Sequence, residues 1–218
     1  MTNTGAEPLD FYFDPISPYA ALAFERLPEA LAGRSVAVRH VPLLFGAVLK
    51  SLGNKGPAEI PGKRDWTYRQ VSWLGHRSGV PLDLPAAHPF NPLPLLRLLW
   101  ATAPAGQTPG RYAVERVFHH VWRGGLDAAD PQRLAALTAD LAPMRDPASA
   151  EVKTALREAT DAAVARGVFG VPTMAVDGKL FWGLDAIDML TAYLDGDAWF
   201  DGPAWDAART LPVGVQRG

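Results

Sequence analysis

Ser17-Pro18-Tyr19-Ala20 places a hydroxyl directly before a proline and an apolar run, so Ser17 is read as the residue that opens a helix. There its oxygen sits among backbone N–H groups that no helical carbonyl can reach, at the positive end of the helix dipole. That setting favours an incoming anion. Taken alone, Ser-Pro reads as an ordinary helix cap, Val171-Pro172 as a rigid turn, and Trp182 as either core or ligand contact. The sequence has no cysteine. Disulfides, thiolate metal sites and a protein-borne thiol nucleophile are therefore excluded, and any sulfur chemistry must use sulfur from another molecule.

Other constellations carry less. His119 and His120 are adjacent on a helical stretch and point about 100° apart, so they cannot form the i, i+4 pair of a helical metal site, and no metal is expected. His40 falls in a strand and His76 in a helix, where satisfied structural histidines are expected. No Gly-X-Ser-X-Gly elbow surrounds Ser17, which argues against a hydrolase, and Gly53-Asn54-Lys55-Gly56 lacks the spacing of a phosphate-binding loop.

The elements that must position these residues follow from periodicity. Leu9 to Asp14 reads as a short buried strand, and a helix starts at about Pro18, with a kink or break expected at Pro28 before Glu29 to Ala32. Ser35 to Leu43 reads as a second strand. Helical periodicity then runs through Phe45–Leu52, Lys63–Ser78, Pro92–Ala103, Arg111–Arg123 and Pro131–Leu141, interrupted by proline-rich loops. Ser149 to Arg166 is amphipathic and ends at Gly167. Asp177-Gly178 between two short apolar runs predicts a hairpin, and Asp185 to Leu194 a last helix with Ile187, Leu190 and Leu194 inward. The tail from Gly202 to Gly218 is polar and contains proline.

The 218 residues are 48% hydrophobic and 20% charged, enough for one globular unit with a real core. Lys+Arg 21 against Asp+Glu 23 gives a net charge of −2, so nucleic acid is not an expected partner. No signal-peptide pattern opens the chain and no apolar run approaches about 18 residues, which predicts a cytoplasmic protein with no membrane partner.

Strand, helix, strand, a helical interval, then helix, hairpin and helix is the order of an α/β thioredoxin-like domain with an α-helical insertion. Residues 8–44 and 147–196 would form the thioredoxin-like domain and 45–146 the inserted helical domain. Ser17-Pro18-Tyr19-Ala20 lies where such folds carry Cys-X-X-Cys. With Phe11-Tyr12-Phe13-Asp14, Gly53-Asn54-Lys55-Gly56-Pro57, Gly167-Val168-Phe169-Gly170-Val171-Pro172-Thr173 and Phe181-Trp182-Gly183, the chain resembles the 2-hydroxychromene-2-carboxylate isomerases. These are relatives of kappa-class glutathione transferases and DsbA-like oxidoreductases. The resemblance spans roughly Leu9 to Leu194.

That resemblance implies glutathione as cofactor and Ser17 as the catalytic serine. Val171 would contact glutathione beside a cis Pro172, and Trp182, Gly183, Leu184 and Asp185 would hold its γ-glutamyl end. Lys50, Asn54, Lys55 and His88 would face a small aromatic substrate, Lys50 only with a one-residue shift in spacing, Leu49 being the direct counterpart. A hydroxyl at a helix N-terminus would hydrogen-bond the bound thiolate and lower its pKa. Free backbone groups beside a cis-proline would dock the peptide as an added strand. The implied reaction interconverts 2-hydroxychromene-2-carboxylate and trans-o-hydroxybenzylidenepyruvate, or a similar unsaturated aromatic pyruvate, in aromatic catabolism. A homodimer is implied as well. The alternatives are a kappa-like glutathione transferase and a non-catalytic thioredoxin-like peptide-binding module.

Overall fold

A computed structural model describes residues 6–212 and 214. The sheet has four strands, β1 (Glu7–Phe13), β2 (Val36–Pro42), β3 (Thr173–Val176) and β4 (Lys179–Trp182), in the order β2-β1-β3-β4. β1 and β2 are parallel, with Phe11 opposite His40, and β3 and β4 run antiparallel to their neighbours. Central β1 is covered on both faces, which is why its sequence is nearly continuous in apolar residues and alternates only partly. Leu9, Phe11 and Phe13 face one core, and Tyr12 faces the other.

Between β1 and β2 runs α1 (Pro18–Ala30). The expected interruption does not break it: Pro28 lies within the helix, and the Leu31 N–H still reaches the Leu27 carbonyl at 2.9 Å. In the last turn a proline forfeits little of the helix ladder, and Ala20, Ala21, Leu22, Ala23, Phe24 and Leu27 bury one side of α1.

After β2 come α2 (Phe45–Ser51), α3 (Pro61–Ser78), α4 (Leu93–Ala101), α5 (Arg111–Trp122), α6 (Pro131–Leu141) and α7 (Ala150–Ala165). Their packing joins them to the sheet. Phe13 and Phe24 pack at a tilt against Phe118 of α5, ring centres 5.2 Å apart in each pair, so α5 closes the core over β1 and α1. On the opposite face α7 packs Val152, Leu156 and Ala163 with Tyr12, Val41 and Ala175. Asp10 lies on that second face, buried, with Arg39 at 2.6 and 2.8 Å and Arg166 at 2.6 Å. Burial alone would raise its carboxyl, but the two guanidinium groups outweigh it and hold the carboxyl below the ordinary range.

The β3–β4 turn has Asp177 at φ 49° and Gly178 at φ 76°, the paired positive angles of a two-residue hairpin turn. α8 (Ile187–Leu194) starts two residues later than the pattern suggests, because Gly183 to Ala186 form a turn before it. The tail adds α9 (Pro203–Ala207), whose Trp205 packs on Phe181 and Phe200; residues 213 and 215–218 lie outside the described ones. Among the described residues, no helix is long and apolar enough to cross a membrane.

Candidate functional site

The site is built on the turn between β1 and α1. β1 leaves the sheet at Phe13, and Ser17 takes an extended conformation (φ −88°, ψ 116°) as the cap of α1, with Pro18 at the first helical position. Its Oγ accepts the Ala20 N–H at 3.2 Å. The helix-cap reading therefore holds, and it leaves the hydroxyl proton available: its nearest acceptor is the Val171 carbonyl at 3.5 Å, too long for a firm bond.

Each carbonyl of this turn has a donor. Asp14 accepts the Ser17 N–H at 3.0 Å, Pro15 the Trp122 indole N–H at 2.8 Å, and Ile16 the His88 Nε2–H at 2.8 Å. The Ser17 carbonyl accepts the Ala20 and Ala21 N–H groups at 3.1 Å. Beneath the turn the fully buried Asp14 carboxyl accepts from Ile16 N and Phe45 N, both at 3.0 Å, tying it to the start of α2. Burial pushes this carboxyl up to about 7 against the pull of those two bonds. Three braces thus come from the helical interval: Phe45 from α2, His88 from the loop before α4, and Trp122 from α5.

Val171 is buried beside the Ser17 hydroxyl, the Val171–Pro172 bond is cis, and the Val171 N–H has no acceptor among the described residues. The Pro172 carbonyl accepts the Gly183 N–H at 2.9 Å, which draws the segment after β4 toward the same point. Trp182 is not core. It is 53% exposed, tilted against Phe169 with ring centres 4.8 Å apart, and its indole lies over Gly170, where a Cβ would come within 2.3 Å of Nε1. Gly183 has φ 103°, and a Cβ there would meet the exposed Asp185 carboxylate at 2.4 Å, so both glycines make room for side chains. Leu184 is buried and anchors this turn.

Ser17, Val171, Pro172 and Trp182 to Asp185 are thereby drawn together. Lys50, Asn54 and Lys55 are exposed at and just after the far end of α2, and among the described residues none bonds the Ser17 turn. His88 does reach the turn, but through both ring nitrogens: Nε2 bonds the Ile16 carbonyl, and Nδ1 lies 2.7 Å from the Tyr68 hydroxyl of α3. Tyr19 is linked to α3 as well, donating to Gln70 Oε1 at 2.7 Å, and burial raises its phenol.

Asp14, Tyr68 and Trp122 were not readable as site residues. Asp14 closes the Phe11-Tyr12-Phe13-Asp14 motif, three residues before Ser17, whereas Tyr68 and Trp122 act from distant elements and leave no local pattern. Of the remaining histidines, His40 is buried among Phe11 and Phe24, and burial lowers it to about 4. His119 bonds Glu25 at 3.1 Å and His120 bonds the Ala128 carbonyl at 3.0 Å. His76 is exposed on α3, contrary to the satisfied position expected for it. No cluster of three or more metal-binding side chains occurs among the described residues.

Chemically, the Ser17 hydroxyl, its oxygen fixed by Ala20 at the positive end of the α1 dipole, can donate to an anion. The unpaired Val171 amide beside an exposed indole can take an extended peptide.

A family model described as a DSBA-like thioredoxin domain matches residues 8–195. A 2-hydroxychromene-2-carboxylate isomerase of Sphingobium xenophagum is 30% identical over 204 residues, 89% of this chain and 99% of that protein. Glutathione S-transferase kappa 1 of Rattus norvegicus is 28% identical over 208 residues, 88% and 92%. The solved structure of a 2-hydroxychromene-2-carboxylate isomerase superimposes with a TM-score of 0.75 at 25% identity, covering 94% of this chain and all of that one.

Proposed function

This chain belongs to the DsbA-like thioredoxin family that includes the 2-hydroxychromene-2-carboxylate isomerases, and from that premise we propose that it is a glutathione-dependent cis–trans isomerase of an unsaturated aromatic pyruvate. The substrate pair proposed is 2-hydroxychromene-2-carboxylate and trans-o-hydroxybenzylidenepyruvate, a step of aromatic catabolism. A cytoplasmic homodimer belongs to the same proposal, as does the division into a thioredoxin-like domain (8–44, 147–196) and an inserted helical domain (45–146).

The observation that carries this reading is the Ser17 hydroxyl at the start of α1, facing the Val171 backbone in a chain without cysteine. The fit to glutathione rests on three features: the free Val171 N–H, the loosely held Ser17 proton, and the exposed Trp182 indole over Gly170. When bound, glutathione would supply the sulfur nucleophile for a reversible addition to a conjugated carbon, chemistry that the cysteine-free chain cannot supply itself. Ser17 would donate its hydroxyl proton in a hydrogen bond to the thiolate, with the α1 N-terminus favouring that charge. Val171 would pair its N–H with the peptide, and Trp182, Gly183, Leu184 and Asp185 would line the γ-glutamyl end. Lys50, Asn54 and Lys55 are the cations and amide offered to the substrate carboxylate.

The test is interconversion of the named pair, followed spectroscopically with and without glutathione. Turnover that requires the free thiol is expected. Transfer of glutathione to electrophiles without isomerisation would instead favour the kappa-like transferase. Equal rates with and without the thiol would overturn the proposal.

A further inference from the structure

The Ile16 carbonyl can only accept, so at 2.8 Å from it His88 Nε2 must carry the proton. Burial favours the neutral ring, so Nδ1 is an acceptor, and the Tyr68 hydroxyl, 2.7 Å from Nδ1 and 3.2 Å from the His88 carbonyl, donates over the shorter contact. The ring is also packed on edges and faces: Tyr68 at 5.6 Å, Phe90 at 6.0 Å and Trp122 at 5.5 Å. Both nitrogens are thus committed to the protein, and neither remains for a substrate oxygen. A ring held this way on one tautomer is a strut, and it ends on the residue before Ser17.

We propose that His88 is a positioning residue for Ser17: Tyr68 fixes its tautomer, and its Nε2–H holds the Ile16 carbonyl so that the first turn of α1 and the Ser17 hydroxyl keep one orientation. The inference rests on the glutathione-isomerase reading and changes the role of His88 within it from substrate contact to support. The same turn shows why a strut is needed. Ser17 holds only one short side-chain bond, to the Ala20 N–H. The direction of its free proton is therefore set by the backbone on either side, where Asp14, Trp122 and His88 take up the preceding groups. Misplacement of a reacting group by about 1 Å costs on the order of a hundredfold in rate.

Titration must respect the surroundings. The groups facing His88 are Tyr68 and, through its charge, Arg64, both from α3, with uncharged Phe90 and Trp122 on the other sides. Burial is the main cause that lowers the imidazole; the Ile16 bond pulls the other way and the Arg64 charge adds to burial, so on balance the ring is held below its ordinary value and the neutral form is favoured.

The proposal is tested on the full chain without glutathione, by nitrogen-15 NMR of the histidine side chains and by amide exchange at Ala20 and Ala21, and then with substrate. The expected result is an Nε2–H tautomer at His88 that stays neutral at pH 6.5. In Tyr68→Phe the ring loses its hold at Nδ1, so exchange in the first turn of α1 should quicken roughly tenfold, and kcat should fall about ten- to a hundredfold at unchanged substrate KM. A wild-type His88 carrying its proton on Nδ1 would overturn the proposal. So would a Tyr68→Phe variant with unaltered exchange and a raised substrate KM, which is the pattern of a direct contact. Failure of the functional reading shows differently, as wild-type turnover that ignores glutathione while the tautomer and exchange results stand.

Discussion

The Ser17 hydroxyl lies 3.5 Å from the Val171 carbonyl, bringing the cap of α1 to the residue before Pro172 across 154 positions of sequence. The cap bond from Ala20 fixes the oxygen, and the long contact to Val171 leaves the proton loosely held. A group arriving between α1 and Val171 meets a hydroxyl whose oxygen is fixed and whose proton has no firm acceptor to give up.

Ser17→Ala separates the two uses of that oxygen. Loss of the Ala20 cap should cost about 1 kcal/mol of stability, measured by urea denaturation. Loss of the donor should reduce isomerisation by roughly 10²–10³-fold. Full activity in the variant would remove the hydroxyl from the chemistry.

Asp14 gives a pH signature. Its folded carboxyl is raised by burial to about 7 from an ordinary 3.8, so between those values the folded state holds a proton that the unfolded state has lost. Wild-type stability relative to Asp14→Asn should therefore fall as pH rises from about 4 to about 7 and then level off, by on the order of 4 kcal/mol in all. Paired denaturation curves across that range check it; a difference that grows with pH would have the wrong sign.

Gly170→Ala addresses the indole. A Cβ at 2.3 Å from Trp182 Nε1 must push the ring aside, and Trp182 is exposed enough to move. Stability should change by less than about 1 kcal/mol while glutathione affinity falls several-fold, read by calorimetry. Unchanged affinity would take Trp182 out of the ligand site.

Much of the scaffold was readable because its signals are local. Helical periodicity marked the stretch from Phe45 to Leu141, and Asp177-Gly178 marked a turn that needs two positive φ angles. Pro28 misled because the disruption expected from a proline depends on where it falls in the helix, and burial of the Leu22–Leu27 side holds α1 past it. At the site, Ser17 was legible from its cap position. Its supports were not, since Trp122 reaches Pro15 from 107 residues away and His88 reaches Ile16 from 72, distances at which no spacing rule operates. The resemblance implies a substrate-facing His88, yet both its ring nitrogens are engaged by the protein.

Asp10 makes the sheet itself acid-sensitive. Its carboxyl is held down by Arg39 and Arg166 against its burial, so its contribution to stability is present above about pH 4 and lost as pH falls further. Asp10→Asn should cost about 2 kcal/mol at neutral pH, less than a fully buried pair because Arg39 is largely exposed. The cost should shrink below pH 4, and a cost independent of pH would assign it to packing instead.

The most direct measurement is a calorimetric titration of the whole chain with reduced glutathione and with its S-methyl form, repeated across neutral pH. Binding of the free thiol with proton release, weakened by methylation, is the predicted result, because Ser17 and the start of α1 are set to stabilise a thiolate. Equal affinity for the two forms without proton release, or no binding of either, would contradict it and leave a peptide-binding thioredoxin-like module as the reading of the same groove.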